Sequence, residues 1–512
     1  MTTSDLRNKI DKLWAEFRSG GFTNPLTIIE QFTNLFFCRL LDEAEIKHEK
    51  SVQRTGQPSK AHFFAKDQQH LRWKNFRDKT GDELLALVRD EVFPFLRTLD
   101  SPRYANDVND EDANEMVNNW PGAFMKDAKL LIAKPELLAS SIRAIDEMDM
   151  LNTEAKGDLY EYLLSKLTTA GINGQFRTPD HIRQVMVEML APKPTDIIGD
   201  PACGTAGFLI EAMKYLRRHY TPQEMVYVGG KNDAYIGDLL TSDMEHSINH
   251  TFRGFDFNLT ILRLADMNMR LHGAEGQCIF YQDSMSEAFA RNHLLEARNH
   301  FDLILSNPPF AGNLDIDEIA RELTRKVKST KTEMLFLVRI LEMLKEGGRC
   351  AVIVPDGVLF GFSKAHIALR QLLLDDNQLD GVISLPAGVF KPYSGVSTAI
   401  LFLTKGGMTR DVFFFDVRAD GRSLDNKRDK IADNDLPMLL ERWKNRAPCN
   451  DTDRTSQAFF VPADEIRRRN YDLSLKKYKD TAYEPTMEIM KRLEKLEGEI
   501  VAGLNELREM LP

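Results

Sequence analysis

The sequence predicts an α/β protein built on a mainly parallel, doubly wound sheet, with a helical region before it and a helical tail after it. Three observations carry that reading. From about residue 151, short apolar runs of strand length alternate with runs of helix length, the grammar of successive β-α units. The runs ending at Asp200 and Asp256 close on a carboxylate, the place where nucleotide-binding α/β folds keep their ligand contacts. Residues 1–150, in contrast, show mainly helical spacing.

In order along the chain, Leu6, Ile10, Leu13, Trp14 and Phe17 recur at helical spacing, and Ile28 to Leu41 carries a broad apolar face. Leu84 to Phe93 reads as a third helix, ended by Pro94. Thr98 to Trp120 is rich in Asn and Asp, carries Pro102 and reads as a loop. Asp158 to Thr168 and Pro179 to Leu190 follow as helices. Asp196 to Asp200 is the first strand and Phe208 to Arg218 its crossover helix. Further strands are expected over Phe252 to Phe257, Ile279 to Tyr281, Phe301 to Ser306, Arg349 to Pro355, Leu379 to Leu385 and Thr398 to Leu403. The tail from Glu484 to Met510 is charged and helical, with Met487, Met490, Leu493, Leu496, Ile500, Leu504 and Leu507 forming an apolar stripe. Such a stripe packs on its own domain or against another chain's helix. The expected organisation is a helical domain over 1–150, a catalytic domain over 151–480 and an assembly helix over 481–512.

Composition narrows the class. A chain of 512 residues is too long for one compact core, and 43% hydrophobic residues support globular burial. Five cysteines are scattered without a C-x-x-C pair, which argues against a disulfide framework or a zinc site and fits a reducing cytosol. Met1 to Lys9 is polar, with no signal-peptide core, and no apolar run is long enough to span a bilayer. The expectation is a cytoplasmic protein with no membrane partner. A net charge of −10 weighs against a free-standing nucleic-acid binder, and it suggests that a partner supplies part of any DNA grip.

Chemistry concentrates in four places. Asp200-Pro201-Ala202-Cys203-Gly204-Thr205-Ala206-Gly207 follows a strand and opens a helix. Its small residues let a ligand approach the backbone closely, and the helix start offers free N–H groups. The pattern is not the G-x-G-x-x-G of a pyrophosphate cradle, so a cofactor with an amino group and no phosphate suits it better. Asp256, ending what should be the neighbouring strand, can accept both hydroxyl hydrogens of a ribose. Asp283, after the third strand, can reach an adenine amino group. Each acid alone reads as a solvated strand end; three on successive strands make one nucleoside-shaped crevice.

The fourth place is Asn307-Pro308-Pro309-Phe310, directly after the apolar strand Phe301 to Ser306. Two prolines fix the backbone and leave carbonyls free. Asn307 and the Pro308 carbonyl can each accept one hydrogen of a planar NH2 group, and Phe310 offers a stacking face. That arrangement suits an amino nitrogen held for attack on a methyl sulfonium. No metal-ligand cluster accompanies it.

The acidic-small-glycine loop and the N-P-P-F box resemble those of the amino-methylating DNA methyltransferases. Gly174-Gln175-Phe176-Arg177-Thr178-Pro179, followed by Asp180, resembles the segment of that family that covers the methionine end of S-adenosyl-L-methionine. Ala265 to Gly273, Leu385 to Phe390 and Tyr393 to Thr398 resemble the modification subunit of type I restriction systems. The likeness spans roughly residues 150–480, in the gamma order of motifs, with Phe310 where relatives often carry Tyr. It implies a Rossmann-like class I S-adenosylmethionine-dependent methyltransferase domain acting on the N6 amino group of a flipped adenine. Implied cofactor contacts are Gln175 to Asp180, Asp200, Ala202 to Gly207, Asp256 and Asp283; the implied catalytic residues are Asn307, Pro308, Pro309 and Phe310. The implied partners are double-stranded DNA, a specificity subunit, a second copy of this chain and, in a complete system, a restriction (endonuclease and translocase) subunit. Arg321, Arg325, Lys326, Lys328 and Lys331, and a second cluster of Arg467, Arg468, Arg469, Lys476 and Lys477, are candidates for phosphate contact. The competing readings are methylation of protein glutamine, of RNA or of cytosine N4, and a non-catalytic subunit that only binds cofactor.

Overall fold

The structure is a computed structural model. It describes residues 3–55, 63–99, 125–147, 153–169, 177–222, 227–228, 233–234, 237, 239–274, 277–480, 487, 490–498 and 500. Among the described residues thirteen strands are formed: β1 (Ile198–Asp200), β2 (Tyr227–Val228), β3 (Asp233–Ala234), β4 (Phe252–Asp256), β5 (Ile279–Tyr281), β6 (Phe301–Ser306), β7 (Leu344–Pro355), β8 (Gln378–Leu385), β9 (Thr398–Thr404), β10 (Asp411–Asp416), β11 (Asp420–Arg422), β12 (Lys430–Asn434) and β13 (Ala458–Pro462). Nine of them make one sheet in the order β13-β10-β8-β9-β7-β6-β1-β4-β5, while β2 pairs with β3 and β11 with β12.

The pairs around β1 are all parallel, with Ile198 opposite Phe252 on one side and Leu303 on the other. Strand β9 enters antiparallel between β7 and β8, and β13 closes the edge antiparallel to β10. The chain therefore leaves β1 toward β4 and β5, then crosses back to β6. That reversal opens a crevice at the carboxyl ends of β1, β4 and β6, where such sheets bind ligands.

Burial on both faces explains why the strands are continuously apolar rather than alternating. Ala351 and Ile353 of β7, Ile400 and Phe402 of β9, and Phe413 and Phe415 of β10 share one core with the helices Asp180–Leu190 and Gly207–His219. The intervening Val352, Leu401 and Phe414 pack on the other face with the helices Thr332–Met343 and Lys364–Asp375.

A third core is helical. It joins Ile10, Leu13 and Phe17 to the long helix Pro25–Thr55, and continues through Leu159, Tyr160, Leu163 and Leu164 of the helix Thr153–Thr169. The helix Leu259–Leu271 is shared between layers: Ile261, Leu264 and Leu271 enter this helical core, whereas Leu262, Ala265 and Met269 pack toward the sheet. Arg263 of that helix reaches out to pair with Glu30 and Asp127 of the helical region. Among the described residues, no helix is long and apolar enough to cross a membrane.

The expected stop at Pro94 is overturned. The helix Gly81–Leu87 passes through a π turn, Val88–Val92, and continues as Phe93–Thr98. The π turn resets the hydrogen-bond register, so Pro94 falls in a first turn, where its missing N–H costs nothing. The loop expected over Thr98 to Trp120 lies almost wholly outside the described residues, as do Leu504 and Leu507 of the tail stripe. Met487, Met490, Leu493, Leu496 and Ile500 are exposed.

Gly199 shows how tightly the crevice is seated. A Cβ there would meet the Phe301 ring at 2.7 Å, deep in the sheet. Gly199→Ala should cost about 1–3 kcal/mol by overpacking, read as a lower urea midpoint in equilibrium unfolding.

Candidate active site

Asp200 ends β1 almost fully buried. One oxygen, Oδ1, accepts from the backbone N–H of Ala202 at 3.0 Å and from the Ser306 hydroxyl at 2.8 Å. Burial pushes its carboxyl up to about 7, a rise that Asp256 reinforces and the two hydrogen bonds oppose. The loop behind it turns sharply, with left-handed backbone at Gly204 (φ 52°) and, at a strain cost, at Ala206 (φ 64°). Among the described residues, a Cβ at Gly204 would meet nothing within 4 Å, so none of them closes over this turn. The Gly204 N–H donates to Asp256 Oδ2 at 3.2 Å, and Cys203 N–H to the Phe255 carbonyl at 3.0 Å.

Asp256 also accepts from Asn258 N–H at 3.0 Å; burial raises its carboxyl, opposed by these backbone donors. Next along the edge, Asp283 Oδ1 accepts from Met285 N–H at 2.8 Å, and the Ser284 hydroxyl donates to the Pro201 carbonyl at 2.7 Å. Three loops, after β1, β4 and β5, are thus stitched into one rim.

The opposite rim is the segment after β6. Asn307 Nδ2 donates to Thr178 Oγ1 at 2.9 Å, and its Oδ1 is buried without a hydrogen-bond partner among the described residues. A buried acceptor left so costs about 1–3 kcal/mol, which an incoming N–H would recover. Pro308 is buried and Pro309 exposed. Phe310 sits edge-to-face against Phe390, ring centroids 5.4 Å apart.

Behind both rims lies Glu161, on the helix Thr153–Thr169. Its Oε2 pairs with Arg177 and, at 3.0 Å, with Arg183, while Oε1 accepts from Asn268 Nδ2 at 2.6 Å. Burial alone would raise this carboxyl; Arg177 and Arg183, with His272 and Asn268, outweigh it and hold the group far below the usual carboxylate range. Asn268 Nδ2 donates also to the Thr205 carbonyl at 2.9 Å, and Arg183 Nη1 to the Thr178 carbonyl at 3.0 Å. One buried carboxylate is therefore two steps from the small-residue loop and three from Asn307.

The fold brings together Thr178 with Asn307, Asp200 with Ala202, and Gly204 with Asp256. Arg177 is engaged by Glu161, and Asp180 by Arg183 at 2.8 Å. Gln175 and Phe176 lie outside the described residues. Among the described residues, no group of three or more His, Cys, Asp or Glu is placed to hold a metal. Sequence reasoning missed Ser306, Asn268, Phe390 and Glu161 as members of the site. Asn268 and Phe390 sit inside stretches already singled out, so their neighbourhoods were visible; nothing marks Glu161.

Comparison with known proteins points the same way. Residues 152–486 match the model of the family described as N-6 DNA Methylase, and residues 6–145 that of the HsdM N-terminal domain. The chain is similar to the type I restriction enzyme EcoEI methylase subunit of Escherichia coli, 30% identical over 84% of this chain and 83% of that one. It is similar in fold to a chain solved in work on complex assembly and conformational transition of the type I restriction-modification system, at TM-score 0.68 and 24% identity over 98% of both chains. A type I methyltransferase subunit from Streptococcus thermophilus superposes at TM-score 0.63 and 20% identity, over 94% of this chain and 100% of that one.

The raised carboxyl of Asp200 has a measurable consequence. Below the unfolded value of about 4 the group is protonated in both states and costs nothing. As pH rises from there the unfolded chain gives up the proton first, so stability falls, and the fall levels off above about 7. Unfolding midpoints taken at about pH 5 and about pH 8 should drop for the wild type relative to Asp200→Asn, in which this contribution is absent.

Proposed function

This chain belongs to the N-6 DNA methylase family as the modification subunit of a type I restriction-modification system, and we propose how its own residues carry out the reaction. The protein is an adenine-specific DNA methyltransferase that acts at N6.

The crevice at the carboxyl ends of β1, β4 and β5 holds S-adenosyl-L-methionine, which supplies an electrophilic methyl on a positively charged sulfur. The fit is supported by the open face of the Gly204 turn and by the acids Asp200, Asp256 and Asp283 along one rim. Ala202 to Gly207 bring backbone close to the ligand, Asp256 takes the ribose hydroxyls, and Asp283 lies at the adenine end. Arg177, Thr178, Pro179 and Asp180, with Gln175 and Phe176, cover the methionine end. Arg177 and Asp180 do so by bracing that segment through Glu161 and Arg183.

The observation that carries the catalytic reading is the unpartnered Oδ1 of Asn307. Thr178 takes one of the amide's two N–H donors and so orients the amide, leaving Oδ1 to accept the substrate's N6–H. Asn307 Oδ1 and the Pro308 carbonyl take one amino hydrogen each and draw the nitrogen lone pair out of conjugation with the ring. Pro309 keeps that carbonyl from rotating away, and Phe310, braced edge-on by Phe390, stacks on the flipped base. Positioning then provides most of the acceleration.

The same reading divides the chain into a helical domain over 1–150, a catalytic domain over 151–480 and an assembly helix over 481–512, and extends to the partners. The exposed residues from Met487 to Ile500 are the docking stripe for a specificity subunit, since uncovered they are an aggregation liability. Two copies of this chain and one specificity chain enclose double-stranded DNA, and a restriction subunit joins them in the complete system.

Asn307→Ala should abolish methyl transfer to DNA yet leave S-adenosyl-L-methionine affinity within about twofold in calorimetry, because the side chain serves the base. Phe310→Ala should fail likewise and Phe310→Tyr should retain activity. Mass spectrometry of digested plasmid should find N6-methyladenine; N4-methylcytosine alone, or an active Asn307→Ala, would refute the assignment.

A further inference from the structure

Strand β7 lies beside β6 in parallel, with Ser306 opposite Val352, so its last residues run past Ser306 toward the active-site edge. The turn beyond β7 is held firmly. Buried Arg370 donates to the carbonyls of Val358 at 3.0 Å and Gly361 at 2.9 Å, and Leu473 N–H donates to the Leu359 carbonyl at 2.9 Å. Val358 and Leu359 are buried as anchors. Yet the same turn lifts Phe362 to 88% exposure and leaves Phe360 at 42%. A Phe side chain left in water forgoes about 1.5–3 kcal/mol of burial, and here a pinned backbone holds it there.

The position adjoins the base box. Asp356 N–H, at the foot of the turn, donates to the Ser397 carbonyl at 3.1 Å, and the segment from Pro386 to Ser397 carries Phe390, the ring against Phe310. The surroundings are basic. Lys364 lies two residues beyond Phe362, Lys331 acts on His366 and Lys476 on Asp356, and Lys391 adjoins Phe390. Among the described residues, none of these four lysines makes a close salt bridge, Lys476 acting on Asp356 only at longer range, and three of them, Lys331, Lys364 and Lys476, are exposed.

We infer that the Phe360–Phe362 turn is a DNA-contacting wedge: Phe362 stacks on a base beside the flipped adenine, and the four lysines hold the flanking phosphates. The inference rests on the adenine-methyltransferase reading above and names the DNA contact of that same site. An aromatic without hydrogen-bonding groups fits a stack of bases, whose faces are apolar, and unpaired lysines fit the phosphates that border it.

The test uses the full chain co-expressed with the specificity subunit of its own system, and plasmid DNA as the probe. A benzophenone amino acid placed at position 362 should crosslink to DNA on irradiation. Phe362→Ala should lower kcat/KM for plasmid roughly tenfold, the loss that stacking on one base entails, with S-adenosyl-L-methionine affinity unchanged; Phe362→Trp should restore it. Crosslinking to a protein subunit alone, or wild-type kinetics in Phe362→Ala, would overturn the wedge while leaving the methyltransferase reading intact. Failure of the wild-type complex to methylate plasmid would instead strike that reading, and the wedge with it.

Discussion

The largely buried carboxylate of Glu161 ties the loop after β1 to the segment that holds Asn307. It gathers two guanidinium groups and one amide. Two of these reach onward to different pieces of the site: Asn268 to the loop after β1, Arg183 to the segment that holds Asn307. Removing one member of such a cluster leaves buried charge unpaired, which is far more costly than an exposed ion pair is worth. The arrangement makes the helix Thr153–Thr169 a brace for both rims, although it packs with the helical core and not in the sheet. The loop after β1 and the segment that holds Asn307 are therefore both tied to one point.

Charge is distributed with the same economy. The rim after β1, β4 and β5 is acidic and partly desolvated, with Asp200 and Asp256 both raised by burial. That is a poor place for two anions and a good one for a cationic ligand. The rim after β6 carries no ionisable group at Asn307, Pro308, Pro309 or Phe310, a lining suited to a neutral amine. The lysines stand farther out along the edge, around the turn after β7, where phosphates would pass.

Much of this was legible in the sequence. The switch from helical spacing to alternating runs located the sheet, and acids at the ends of β1, β4 and β5 located the crevice. The strands β10 and β13 were not recognised. Val412 to Phe415 is as apolar as its neighbours, but so short a run has no period that separates strand from helix. Ala458–Pro462 is as short and ends in a proline, a residue that weighs against a strand in local pattern. Thr178 and Asn307 were each singled out, but their hydrogen bond joins positions 129 residues apart, which no local pattern encodes. Glu161 stayed hidden because an acid among Tyr, Gly, Asp and Lys on a helix reads as a solvated face; only tertiary packing buries it. Pro94 misled for the opposite reason, since a π turn answered a local rule that holds for regular helices.

The positioning role of Glu161 is measured most directly with Glu161→Gln in the assembled methyltransferase, taking S-adenosyl-L-methionine affinity from calorimetry and kcat at saturating cofactor on the same preparation. If one carboxylate positions both rims, affinity and kcat should each fall by roughly tenfold or more, the scale of a lost buried charged hydrogen bond, while circular dichroism keeps its wild-type form. A variant in which only one of the two quantities moves, or neither, would contradict it.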